Sequence, residues 1–119
     1  MKLELESVVK TYGTQRALDS LDLTVEDTMC IALIGPSGGG KSTTLRLLAG
    51  LESPTSGTIR IDGNEIAHEY WQLREYRQRV GVVFQTFNLF PHFDAITNIA
   101  LPLEKVHGYS RGKSLEKAG

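Results

Sequence analysis

The chain has 119 residues, 40% apolar and 23% charged; this is ordinary globular composition, suited to one domain or part of a larger one, and it excludes a disordered tail. Thirteen Lys and Arg against fourteen Asp and Glu leave a net charge of −1, so no global field draws in nucleic acid or an anionic membrane, and any anion site has to be local. A single cysteine, Cys30, allows no disulfide within the chain, and no window reaches the roughly 18 apolar residues of a membrane-spanning helix. Glu4 and Glu6 stand where a secretory signal needs an unbroken apolar stretch, so a cytoplasmic protein is expected.

Taken in order, Leu3, Leu5 and Val8-Val9, then Leu18, Leu21, Leu23 and Val25, alternate with polar residues, and Tyr12-Gly13 breaks the chain between them. This predicts an N-terminal antiparallel β-meander. Cys30-Ile31-Ala32-Leu33-Ile34 is nearly all apolar and predicts a strand buried on both faces at the centre of a parallel sheet, with Cys30 as a small buried hydrophobe. After Gly40, the residues Leu45, Leu48 and Ala49 recur at helical spacing, and Gly50 stands where a helix C-terminal glycine belongs. Pro54 to Gly57 predicts a turn, Thr58 to Ile61 a strand, and Asp62-Gly63-Asn64 the next turn.

A short helix is expected from Glu69 to Tyr76, and Val80-Gly81-Val82-Val83-Phe84 predicts a second doubly buried strand, closed by Gln85. Asp94 is placed to cap a helix with Ile96, Ile99, Ala100 and Leu103 on its apolar face and Pro102 ending or kinking it. Ser110 is placed to cap another helix toward Gly119.

Gly35-Pro36-Ser37-Gly38-Gly39-Gly40-Lys41-Ser42 satisfies G-x-x-x-x-G-K-[ST] between an apolar run and an amphipathic helix, the context such a match requires. Its glycines let backbone N–H groups turn inward around phosphate, and the helix beginning near Lys41 adds its positive end. Lys41 then pairs with the β and γ phosphates, the Ser42 hydroxyl is a hard oxygen donor for Mg²⁺, and Thr43 reaches the α phosphate. The expected ligand is Mg-ATP.

These residues, with Val9-Lys10-Thr11-Tyr12-Gly13, Leu47 to Gly57, Val82-Val83-Phe84-Gln85 and Asn88-Leu89-Phe90-Pro91-His92, resemble the nucleotide-binding subunit of ATP-binding-cassette transporters. The likeness covers the whole chain. Together with Asn98 to Leu103 it is nearest to importers of polar amino acids, with the lipoprotein-releasing and phosphate branches similar here. The resemblance implies an α/β P-loop NTPase core of RecA type, with an antiparallel β subdomain and the start of a helical subdomain. It divides the chain at residues 1–88 and 89–119. It also implies that Tyr12 stacks on adenine and that the Gln85 side chain touches Mg²⁺ and the attacking water; read alone, Tyr12 is a strand-end aromatic and Gln85 a polar strand cap. Implied partners are permease subunits and a second nucleotide-binding subunit, with the protein peripheral on the inner face of the membrane and neither inserted in it nor bound to nucleic acid. A soluble cassette ATPase of DNA repair or translation, and a non-catalytic ATP-binding fragment, are the alternatives.

Arg74, Arg77 and Arg79 beside Trp71 and Tyr76 are diluted by Glu69 and Glu75 and read as a solvated helix face. His68, His92 and His107 lack ligand spacing, and Asp62 reads as a turn residue rather than a Mg²⁺ ligand. Nothing matches the Leu-Ser-Gly-Gly-Gln signature, the apolar strand ending in Asp-Glu, or the switch histidine of the family, and Asp27-Thr28-Met29 replaces its usual Gly-Glu turn. The expectation is therefore the first half of a transport-coupled ATPase domain, inactive by itself.

Overall fold

A computed structural model describes all residues, Met1–Gly119. They form two compact units, Met1–Gly81 and Val82–Gly119. The first contains β1 (Leu3–Tyr12), β2 (Gln15–Val25), α1 (Lys41–Leu48), β3 (Ser56–Ile61), β4 (Asn64–Glu65) and α2 (Tyr70–Gln78); the second contains α3 (Ala95–Lys105) and α4 (Arg111–Ala118).

The strands make one antiparallel sheet in the order β2-β1-β3-β4. Alternation decides the register: Leu3 pairs with Val25 on one side and Ile61 on the other, and Leu5 lies between Leu23 and Ile59. One face thereby gathers the core of Leu3, Leu5, Val8, Leu18, Leu47, Ile59, Ile66 and Leu73. The Asp62-Gly63 turn closes β3 onto β4 with positive φ at both residues, the hairpin geometry that this dipeptide favours. Its Asp62 carboxylate accepts the Lys2 N–H at 2.6 Å, which agrees with a turn role.

Helix α1 ends in a hydrogen-bonded left-handed cap: Gly50 N–H donates to Leu47 O and Leu51 N–H to Arg46 O, with Gly50 at φ 67°. Helix α2 completes that cap from outside. The Tyr76 hydroxyl donates to Leu48 O and Arg77 Nε to Gly50 O, so two of the residues read as a solvated face hold the end of α1. A Cβ at Gly50 would stand 2.8 Å from Tyr76 Cδ1, a second reason for glycine there.

Several expectations need correction. Residues 29–34 and 80–84 form no strand; Met29, Ile34 and Val83 are almost wholly exposed, and Cys30, expected to be buried, is exposed as well. A strand buried on both faces needs a neighbour at each edge and a layer on each face, and the four-stranded antiparallel sheet supplies neither to these runs. In α1 the buried positions are Thr44 and Leu47, with Leu48 half-buried, whereas Leu45 faces out. In α3 it is Ala100 that is buried, and Ile96 and Ile99 are exposed. Of the two outcomes expected at Pro102, the helix does not end there: α3 continues to Lys105, because the lost N–H removes only one internal bond and the last turn is still closed by Val106 N–H on Pro102 O.

The remaining caps are as expected. Asp94 accepts the Thr97 N–H, and hydrogen bonding from Thr97, its side chain first and then this N–H, holds the Asp94 carboxyl below the ordinary range; Ser110 accepts the Lys113 N–H. Within the second unit, Asn98 ties the preceding loop together, accepting from Phe90 N–H and donating to the carbonyls of Phe90, Phe93 and Asp94.

Candidate functional site: a phosphate loop against a β-hairpin

The glycine-rich loop leads into α1, and Gly40, at φ 82°, is that helix's N-cap. Gly40 lies so close to β2 that a Cβ would meet Leu18 Cδ2 at 2.6 Å and Ala17 O at 2.9 Å. No larger residue fits without moving the hairpin away from the loop. Gly39 N–H donates to Pro36 O at 3.1 Å and Thr44 N–H to Gly40 O at 2.8 Å, which fixes both ends of the turn.

Lys41 Nζ lies back over the loop, donating to Gly35 O at 2.7 Å and Pro36 O at 2.5 Å. Its charge thus sits beside the helix N-terminus, where backbone N–H groups and the helix dipole also favour an anion. A cleft of about 520 Å³ opens there, lined by Ser37, Gly38, Gly40, Lys41, Ser42 and Thr43 from the loop and helix, and by Tyr12, Gln15, Arg16 and Ala17 from the hairpin. None of these ten residues is a carboxylate, and two of them, Lys41 and Arg16, are cations.

Of the residues expected at the site, Gly35, Pro36 and Gly39 shape the loop without lining the cleft, and the others of the loop line it together with Tyr12. Gln85 is exposed and belongs to the other unit. Ser42, exposed in the first turn of α1, presents a hydroxyl oxygen of the kind Mg²⁺ takes. No group of three or more His, Cys, Asp or Glu gathers anywhere in the chain. The donor set therefore fits an ion carried mainly by phosphate oxygens, as Mg²⁺ is in nucleotide sites, and not an ion caged by protein.

Gln15, Arg16 and Ala17 were not legible as cleft residues. They reach it because β2 doubles back on β1, pairing Gln15 with Tyr12 and Arg16 with Thr11. Arg16 is meanwhile paired with Asp19 at 2.8 Å on the surface. Tyr12 donates its hydroxyl to Glu52, and this bond raises the phenol above its ordinary pKa and holds the Glu52 carboxyl below its own.

The family model described as "ABC transporter" matches residues 18–118. This chain belongs to the ABC transporter ATP-binding family. The Fe(3+) ions import ATP-binding protein of Brucella abortus is 45% identical over 113 residues, which cover 95% of the chain and 31% of that relative. A xylose/arabinose import ATP-binding protein of Haloferax volcanii is 40% identical over 98% of the chain and 29% of its own length. A sulfate/thiosulfate import ATP-binding protein of Rhodopseudomonas palustris is 45% identical over 87% and 28%.

Among solved structures, a dimeric ATP-binding cassette in a post-hydrolysis state, bound to ADP and Pi, superposes with a TM-score of 0.83 at 33% identity, covering 98% of this chain and 53% of that one. The chain thus spans about a third of the curated relatives and about half of that cassette. No helix in it is long and apolar enough to cross a membrane.

Proposed function

We propose that the cleft binds the triphosphate of Mg-ATP and that the chain is the nucleotide-binding portion of an importer's ATPase subunit. The observation that carries this reading is the carboxylate-free cleft built on the glycine loop and the N-terminus of α1, with the Lys41 ammonium lying over the loop. In it, Gly35 to Gly40 wrap the phosphates, Lys41 exchanges its two carbonyl partners for phosphate oxygens, Ser42 would hold Mg²⁺, Thr43 takes the α phosphate and Tyr12 the base; the role for Gln85 toward Mg²⁺ rests on the family resemblance alone. The Mg²⁺ supplies charge neutralisation at the phosphates. The division into a core at 1–88 and the start of a helical subdomain at 89–119 belongs to the same reading.

The cargo is a small polar or ionic solute. Polar amino acids, suggested by the sequence around Gln85 and Asn98, are one such class; iron, pentoses and sulfate, which the relatives' names give, are others. For docking to a permease, Phe87, Leu89, Phe90 and Phe93 offer an exposed apolar surface. The working assembly pairs two such subunits on the inner face of the membrane.

Fluorescent-nucleotide titration tests the site: Lys41→Ala is expected to abolish binding, because an ammonium beside the phosphates is lost. Equal affinity of the two forms would refute the assignment. Binding alone does not accelerate the chemistry, which needs groups acting only as the γ phosphate transfers, and no carboxylate base lines the cleft. Phosphate release by this chain is therefore expected to match that of Lys41→Ala in a malachite-green assay.

A further inference from the structure

The ring of Tyr12 is held at two points by groups outside the phosphate loop. Its hydroxyl donates to the Glu52 carboxylate, and the Lys10 ammonium lies 5.2 Å from the ring centroid, over one face. Glu52 is fixed in turn by Lys10 at 3.4 Å and Arg46 at 3.5 Å. Lys10 also donates to Ser53 O at 2.8 Å. The segment carrying Glu52 is laced to the end of β1, since Thr55 N–H donates to Val9 O at 2.8 Å and Thr11 N–H to Thr55 Oγ1 at 3.0 Å. Tyr12 is the only aromatic residue of the cleft and is 42% exposed, so it is a stacking surface whose rotamer is settled before any ligand arrives.

Resting on the nucleotide reading above, we infer that Glu52 is a positioning residue of this cleft, which locks Tyr12 in place as the platform on which the base of the nucleotide stacks. Glu52 itself touches no ligand. Its contribution is the conformational freedom that Tyr12 no longer loses on binding, so it acts on ligands with a base and leaves those with phosphates alone unaffected.

The experiment is calorimetric titration of the whole chain with ATP and with inorganic tripolyphosphate, for the wild type, Glu52→Ala, Tyr12→Phe, their double variant, Tyr12→Ala and Lys41→Ala. Glu52→Ala and Tyr12→Phe are each expected to weaken ATP roughly two- to tenfold, the cost of immobilising one side chain, and the double variant no more than either. Tripolyphosphate affinity stays at the wild-type value in all three. Tyr12→Ala loses at least about fivefold for ATP.

Equal weakening of both ligands by Glu52→Ala, no weakening of ATP, or additivity in the double variant would overturn the inference. Tyr12→Phe keeps the ring and removes only the hydroxyl, so it decides the matter should Glu52→Ala fail to fold. Unchanged ATP binding in Tyr12→Ala removes the platform and the inference with it. Tripolyphosphate binding that survives Lys41→Ala instead refutes the phosphate-loop reading, and the inference falls with that reading.

Discussion

Strands β1 and β2 and the apolar runs at 29–34 and 80–84 are made of similar residues, yet the strands form a sheet while the runs stay irregular and largely exposed. The strands differ in having a partner close by. A hairpin turn brings β2 beside β1, β3 pairs with the other edge of β1, and their alternation asks for only one buried face, against which Leu47 of α1 and Leu73 of α2 pack. The runs, without polar alternation, ask for two covered faces and two paired edges. Hydrophobicity by itself does not make a strand; a ladder partner does.

The largest effect should separate these regions directly. Leu5, 2% exposed between Leu23 and Ile59, should cost about 2–5 kcal/mol as Leu5→Ala in urea unfolding, whereas Ile34→Ala, at 93% exposure, should stay within about 0.5 kcal/mol. Equal costs would mean that residues 29–34 are packed as well as β1, and the comparison would fail.

A smaller effect belongs to the junction between α1 and α2. Gly50→Ala should cost about 1–3 kcal/mol, because alanine at φ 67° is strained and its methyl meets the Tyr76 ring. Chemical denaturation of this variant, with and without Tyr76→Leu, tests whether the ring is the obstacle: part of the loss should then be recovered.

Smaller still is the pH dependence of the network at the end of β1. The Tyr12 hydroxyl bond first, then Lys10 and Arg46, depress the folded pKa of Glu52, so its stabilisation is present above the unfolded carboxylate pKa and is lost as pH falls through the lower folded value. Tyr12 is raised, chiefly by the same bond, so its share is present below the ordinary phenol pKa and disappears as pH rises through the folded one. Thermal unfolding across both ranges should show a shallower dependence in Glu52→Ala than in the wild type.

The smallest effect lies in the second unit. Ser114 is fully buried in α4 with no partner for its hydroxyl. Ser114→Ala should leave stability unchanged or raise it by less than about 1 kcal/mol, and a clear loss in urea unfolding would reveal a hydrogen bond there after all.

Much of the chain was legible beforehand because its signals are local. Alternation marked β1 to β3, Asp62-Gly63 its hairpin, Asp94 and Ser110 the caps of α3 and α4, and the glycine-lysine-serine spacing the loop entering α1. Each is set by contacts between residues a few positions apart, so the order of residues nearly determines it. Which way a helix faces was not legible. Leu45 and Ile99 turn outward while Thr44 turns inward and, of the apolar face expected for α3, Ala100 alone is buried, because rotation about the helix axis is chosen by what the neighbouring element offers, as Gly40 against Leu18 does for α1.

The antiparallel strands, the helix caps and the glycine-rich loop entering α1 depend on backbone geometry over a handful of residues, and so follow from the order of residues. That Arg16 enters the cleft, that Glu52 holds Tyr12 and that α2 seals the end of α1 came from the packing of the folded chain. Those contacts join residues far apart in the chain or on opposite strands of a hairpin, and their energies exist only once the sheet has brought them within bonding distance.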